Sequence, residues 1–208
     1  MGSERAQHRF WNLVYDKLPL LYDSVDWFTG NTTQRFRLHV WPYLPPAGSR
    51  ILEIGFGSGR LHCRLAESFK TAGLDRAYGM VRLTRHRLTA RGLSSALCCG
   101  DAYALPWPNG YFDAVVSTFA FSAIPDAERA MDEMVRVLGP GGRVIIVDAG
   151  EAPDGNPMAH FLARLWERLG DWIRDEAPLM TARGLSVEQK AFGPWGCIHI
   201  TVGTLPVR

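Results

Sequence analysis

The run Arg50-Ile51-Leu52-Glu53-Ile54-Gly55-Phe56-Gly57-Ser58-Gly59-Arg60 constrains this chain more than any other stretch. It reads as a buried strand that ends in an acid, passes through a glycine-rich turn and enters a helix. Glycines at 55, 57 and 59 remove the Cβ atoms that would block a ligand and admit positive φ. A ligand can then approach bare backbone at the carboxyl end of a strand. The acid indicates what charge that ligand carries. Glu53 sits at the mouth of the turn and suits a group with positive charge, whereas a pyrophosphate prefers donors with no anion beside them. The third glycine of the G-x-G-x-x-G phosphate-binding pattern would fall at position 60, which is Arg60.

Strands and helices alternate from there. Apolar runs predict strands at Ile51–Ile54, Ala72–Asp75, Ala96–Cys99, Phe112–Thr118 and Arg143–Asp148. Helices are predicted over Ser58–Phe69, Tyr78–Ala90, Asp126–Leu138, where Gly139-Pro140-Gly141-Gly142 stops the chain, and Met158–Glu176. Two strands, Leu185–Phe192 and Cys197–Leu205, close the sequence with no helix between them. Repeated βα units imply a parallel sheet with helices on both faces. The closing pair implies a terminal hairpin with one antiparallel strand. The expected fold is therefore α/β, a Rossmann-like three-layer sandwich around a mostly parallel seven-stranded sheet. Residues 49–208 form its domain. Residues 1–48 read as an N-terminal helical lid or cap, with Pro19 dividing its aromatic stretch and Thr32 or Thr33 capping a helix through Val40.

In such a sheet the ligand lies beyond the carboxyl ends of the strands. Candidate residues fall there in turn: Glu53 and the glycines, then Asp75, then Gly100-Asp101-Ala102, then Ser117, Thr118 and Phe119. A carboxylate at Asp75 can accept both hydroxyls of a ribose. Asp101 can accept from an exocyclic amine while Ala102 offers a backbone amide. Asp113, at the start of its strand, lies at the opposite end and reads as structural.

Glu-x-Gly-x-Gly-x-Gly after an apolar strand resembles the first motif of class I S-adenosylmethionine-dependent methyltransferases. Further motifs over about residues 50–148 agree: Gly-Leu-Asp at 73–75, Gly-Asp-Ala at 100–102, Leu-Pro-Trp at 105–107, Phe-Asp-Ala-Val-Val at 112–116 and Glu-Met-Val-Arg-Val-Leu-Gly-Pro-Gly-Gly at 133–142. They are similar to the small-molecule branch that includes quinone C-methyltransferases and bacterial phospholipid N-methyltransferases. The resemblance implies S-adenosyl-L-methionine as cofactor, with S-adenosyl-L-homocysteine as product. It implies cofactor contacts at Glu53, Gly55, Phe56, Gly57, Gly59, Asp75, Met80, Asp101, Ala102, Ser117 and Thr118. Tyr22, followed by Asp23, matches a Tyr-Asp pair in the lids of this branch, where the tyrosine packs near the cofactor. Trp27, Phe28, Phe119 and Phe121 are the expected apolar acceptor pocket. His160, His199 and Asp148 are candidates for a base. The expected acceptor is small and lipophilic, a phospholipid amine or a quinone-type ring. A polar metabolite, a nicotinamide-dependent oxidoreductase and a non-catalytic cofactor binder are the alternatives.

Composition narrows the partners. A formal net charge of +2 gives no global case for nucleic acid. Arg82, Arg85, Arg87 and Arg91 read as the solvated face of a helix. Cys63, Cys98, Cys99 and Cys197 lack zinc spacing and read as buried free thiols in a reducing compartment, so no metal is expected. The N-terminus lacks a signal-peptide core, and no run approaches the roughly 20 apolar residues of a membrane span. The protein is expected to be cytoplasmic. The stripe Phe161, Leu162, Leu165, Trp166, Leu169, Trp172 and Ile173, flanked by Arg164, Arg168 and Arg174, reads as sheet packing or as a membrane-facing surface.

Overall fold

The computed structural model describes residues 31–150, 155–169 and 172–207. Five parallel strands run along the first part of the chain: β1 (Arg50–Ile54), β2 (Lys70–Asp75), β3 (Ala96–Cys99), β4 (Phe112–Thr118) and β5 (Leu138–Ala149). β6 (Ser186–Phe192) and β7 (Ile198–Thr204) complete a seven-stranded sheet in the order β3-β2-β1-β4-β5-β7-β6. β7 inserts between β5 and β6 and is antiparallel to both. The order reverses between β1 and β4, which is where an open α/β sheet leaves a crevice at its carboxyl edge. Because β7 runs backwards, its first residues reach that same edge, with Ile198 opposite Ala149.

Alternation along the strands divides the core in two. Leu52, Ile54, Val115, Val144 and Ile146 pack with Phe121, Met131, Met134 and Met180 on one face. Ile51, Val116, Ile145, Val147 and Ile200 pack with Val40, Leu61 and Leu65 on the other. The first face is covered by α4 (Ala127–Arg136) and α6 (Ala177–Thr181), and the second by α2 (Arg60–Ala66) and the 3₁₀ segment Leu38–Tyr43 that continues α1 (Thr32–Arg37). α3 (Tyr78–Ala90) lies beside α2. Glu133 and Arg136 of α4 clamp the Leu-Pro-Trp loop: Glu133 accepts from the Leu105 amide at 2.7 Å, and Arg136 donates to the Leu105 and Trp107 carbonyls. That guanidinium holds the Glu133 carboxyl below its usual range.

Several expectations are corrected. Asn31, not Thr32 or Thr33, precedes α1, and its side chain accepts from Arg60 at 2.7 Å. Gly139–Gly142 do not break the chain before β5 but lie within it, beside the register shift at Phe112/Ala114. The helix expected to reach Glu176 is α5 (Pro157–Leu169), and α6 is a separate short turn with Pro178 in its first turn and its Ala177 amide held by Asp175. Asp126 caps α4 by accepting from the Arg129 amide. Asp113 accepts from the Arg50 amide, tying the starts of β4 and β1. Cys63 and Cys197 are buried, but Cys98 is half-buried and Cys99 exposed, because β3 is an edge strand. Arg87 is not purely solvated: its Nη1 donates to the Ser58 carbonyl at 2.6 Å. Met158 and Phe161 of α5 are exposed rather than packed on the sheet. No helix among the described residues is long and apolar enough to cross a membrane.

Candidate active site

The turn after β1 is pinned from several directions. The Gly55 amide donates to the Leu74 carbonyl of β2 at 2.8 Å, and Gly59 starts α2 through the Cys63 amide. Thr84 Oγ1 of α3 donates to the Gly57 carbonyl, and Asp75 Oδ2 accepts from the Gly57 amide at 2.7 Å. Two glycines in left-handed geometry serve different ends. A Cβ on Gly59 would lie 2.3 Å from Thr84 Oγ1, so this glycine lets α3 close on the turn. A Cβ on Gly57 would meet nothing within 4 Å, so this glycine leaves an open cradle against backbone. That cradle coincides with the place where the sequence predicts a nucleoside-type cofactor.

The other residues expected at the cofactor lie around this turn. Asp75 is 8% exposed at the end of β2, and its Oδ1 accepts from the Ala77 amide at 2.9 Å. Each of its oxygens is thus anchored to a backbone amide of the turn that follows a strand, which fixes the carboxylate's orientation. The Gly100 amide donates to the Asp75 carbonyl, which brings the loop after β3 alongside. Asp101 is exposed there and Ala102 is buried beneath it. Met80 and Phe56 are buried in the adjoining core. Glu53, 1% exposed, holds His62 Nδ1 at 3.0 Å from its Oε2.

A second group occupies the edge formed by β4, β5 and β7. Ser117 and Thr118 are buried at the end of β4, and Ser117 Oγ has no hydrogen-bond partner among the described residues. Phe119 has φ of 52°, a left-handed conformation that a bulky side chain seldom adopts outside functional or turn sites. Its ring packs against the Val40 face. Phe121, expected as a pocket wall, is instead fully enclosed core. The reason is local: Asp148 accepts from the Ser122 amide at 2.9 Å and from Ser122 Oγ at 2.8 Å, which rolls this 3₁₀ turn and its ring under the sheet edge. Burial raises the Asp148 carboxyl above its usual range, against those same hydrogen bonds.

His199 pairs across the sheet with Asp148 and therefore shares its face. Its ring lies over Gly150, where a Cβ would come within 2.4 Å of Nδ1. Both ring nitrogens are buried without a hydrogen-bond partner among the described residues. Glu176, also buried, accepts from Thr201 Oγ1 at 3.1 Å, and Thr201 in turn accepts from Gln189 Nε2. Burial and the nearby Asp148 push the Glu176 carboxyl up to about 8. His160 is exposed on α5, with Arg164 Nε 3.5 Å from its Nε2. Tyr22, Trp27 and Phe28 lie outside the described residues. No cluster of three or more His, Cys, Asp or Glu among the described residues could hold a metal.

Two residues were not anticipated from sequence, His62 and Glu176. His62 has no motif around it; only its position one turn into the helix after Glu53 hints at a contact. Glu176 falls at the end of the amphipathic helix that the sequence predicts over Met158–Glu176, whereas in the structure it directly precedes the separate helix α6 and is buried.

Known proteins agree with this architecture. A family model described as a methyltransferase domain matches residues 52–146. A phosphatidylethanolamine N-methyltransferase of Cereibacter sphaeroides is 32% identical over 179 residues, covering 82% of this chain and 87% of that protein. A demethylmenaquinone methyltransferase of Thermus thermophilus is 39% identical over 115 residues, but the match spans only 52% of its length. Among solved structures, a methyltransferase from Thermotoga maritima described as a possible histamine N-methyltransferase superposes with a TM-score of 0.71 at 21% identity, covering 92% of this chain and 97% of that one, a likeness of fold alone. With the acid-glycine turn, the aspartate at the end of β2 and the β7 insertion all in place, this chain belongs to the S-adenosylmethionine-dependent methyltransferases.

Proposed function

We propose that the chain methylates the amine of a phospholipid headgroup. The observation that carries this reading is the match to phosphatidylethanolamine N-methyltransferase, which extends over 82% of this chain and 87% of that protein, well beyond the cofactor motifs of residues 50–148. A quinone-type ring is the second reading, favoured by the higher identity, 39%, of the shorter demethylmenaquinone methyltransferase match. Both acceptors join a small reactive centre to a large apolar body.

The bound cofactor supplies an electrophilic methyl on a sulfonium. The acceptor lone pair forms the new bond to that carbon, the carbon–sulfur pair stays on sulfur, and an N–H proton must leave. The chain's own part is alignment and proton removal. Asp75 and the Gly57 cradle fix the nucleoside, and Glu53 faces its positive end. We place His199 as the proton acceptor, because it stands at the carboxyl edge with unengaged ring nitrogens. In this reading the segment that precedes α1 acts as a lid that excludes water from the reaction.

The test is transfer of labelled methyl from S-adenosylmethionine into phosphatidylethanolamine vesicles, a demethylated quinone and water-soluble phosphoethanolamine. Burial of each acyl methylene contributes about 0.8 kcal/mol. Turnover should rise steeply with acyl chain length, and Trp27→Ala should flatten that rise. Equal rates on phosphoethanolamine and on long-chain lipid would exclude the lipid reading and leave a polar amine. Labelling of the quinone alone would select the second reading.

A further inference from the structure

Behind the glycine turn runs a chain of buried hydrogen bonds. Glu53 Oε2 lies 3.0 Å from His62 Nδ1, and His62 Nε2 lies 2.8 Å from Ser95 Oγ. Ser95 Oγ donates to the Thr71 carbonyl of β2 at 2.9 Å. The imidazole is completely enclosed. Its space is made by other residues: the ring centroids of Phe56 and His62 are 5.4 Å apart, and a Cβ on Gly73 would lie 2.7 Å from the Phe56 ring and 2.8 Å from His62 Cε1.

The protons in this chain can be counted. A hydroxyl has one proton, and Ser95 gives it to Thr71, so Ser95 must accept from His62. Nε2 of His62 therefore carries a hydrogen. Nδ1 meets a carboxylate oxygen, and two bare acceptors would repel at 3.0 Å. A proton must lie between them. The pair thus holds one proton more than a neutral imidazole beside an ionised carboxylate. Buried ions are tolerated only when such bonds satisfy them.

We propose that His62 is a positioning residue for the cofactor. It engages Oε2, fixes the rotamer of Glu53 and leaves Oε1 as the oxygen that faces the ligand. With a sulfonium or ammonium group at Oε1, the shared proton rests on His62 and the pair is an imidazolium beside a carboxylate. The relay to Ser95 and Thr71 anchors that charge to β2, the strand that also presents Asp75. The turn's two cofactor carboxylates are therefore held in register through one strand. This inference rests on the reading of Glu53 as a cofactor-facing residue.

The experiment uses the full chain and S-adenosylhomocysteine. By calorimetry, His62→Leu should weaken binding at least about tenfold while circular dichroism shows the fold retained. In a Glu53→Gln background, where Oε2 no longer needs a cationic partner, the same change should weaken binding less than about threefold. A purely structural role would give equal losses in both backgrounds, and that result, or wild-type affinity in His62→Leu, overturns the proposal. If His62→Leu does not fold, nitrogen NMR of histidine-labelled wild-type protein decides. Both His62 nitrogens should be protonated in the S-adenosylhomocysteine complex, and an unprotonated Nδ1 there overturns the assignment. Failure of the wild-type chain to bind either sulfur nucleoside would instead remove the cofactor reading itself.

Discussion

Around β1 and β2, Glu53, His62, Asp75, Thr84 and Arg87 each hold a short hydrogen bond to a neighbouring element. Around β4, β5 and β7, Ser117 Oγ and both nitrogens of His199 are buried with no partner among the described residues, while Asp148 and Glu176 are carboxyls driven toward neutrality by burial. The first half of the carboxyl edge is preorganised: its polar groups are paired and its open space is backbone. The second half carries groups whose charge depends on protonation. A site that must grip an unchanging cofactor gains from the first arrangement. A site that must receive an acceptor and take its proton needs groups held near their titration point.

The largest expected effect is on the second half and concerns Glu176. Its folded-state pKa, about 8, stands above an ordinary value of 4.5. A raised carboxyl favours folding only while protonated. Its contribution is complete below about pH 4.5, is lost as pH rises toward 8 and is flat beyond that. The change is on the order of 5 kcal/mol at most. Urea denaturation between pH 4 and 9 should show this decline in the wild-type chain and a much flatter profile in Glu176→Gln. Parallel profiles would mean that Glu176 is ionised in the fold and that the two halves do not differ in this respect.

How legible these halves were in the sequence follows the same division. β3, β4 and α3 fell where the apolar periods placed them, and the acid-glycine turn, Asp75 and the β7 hairpin followed from short local patterns. The residues expected at the cofactor are legible because each sits beside a strand end within a contiguous motif. The Glu53–His62–Ser95 chain was not, since it joins residues on a strand, a helix and a loop that share no periodicity. Nor was the acceptor side. Asp148 faces His199 only because β7 inserts beside β5, and Glu176 feels the charge of Asp148 from the start of a helix separate from α5; both are decisions of tertiary packing. Phe121 misled for the same reason: an aromatic after β4 reads as a pocket wall until Asp148 is seen to fold its turn inward.

A next-largest effect tests preorganisation in the first half by substituting neighbouring glycines. Gly59→Ala imposes a Cβ on Thr84 and a side chain at φ of 75°. Left-handed strain of about 1–2 kcal/mol and overpacking of about 1–3 kcal/mol should together lower stability by roughly 2–5 kcal/mol. Gly57→Ala carries only the strain, since its Cβ meets nothing. Its stability loss should be about 1–2 kcal/mol. Yet its methyl enters the cradle, so S-adenosylhomocysteine affinity should fall more than the stability does. Denaturation and calorimetry on both variants check this. If Gly57→Ala binds as the wild type does, the open space beside Gly57 is not the cofactor cradle.

The smallest expected effect on stability, and the one that separates the halves most directly, belongs to His199→Phe. Phenylalanine keeps a flat ring over Gly150 and removes two buried nitrogens that have no hydrogen-bond partner among the described residues. Leaving such a group unsatisfied costs about 1–3 kcal/mol, so replacing it with an apolar ring of similar shape should leave stability unchanged or raise it by about 1 kcal/mol. The matching change at His62, whose nitrogens are both engaged, should lower stability instead, by about 3 kcal/mol, because it strands a buried carboxylate. Methyl transfer should discriminate further. His199→Phe should bind S-adenosylhomocysteine as the wild type does but transfer methyl at least about a hundredfold more slowly, the usual scale for loss of a general base. Full turnover in His199→Phe would remove the histidine from the reaction. A stability loss as large as that of His62→Leu would mean that the acceptor half is as firmly built as the cofactor half, and that its groups serve the fold before they serve a substrate.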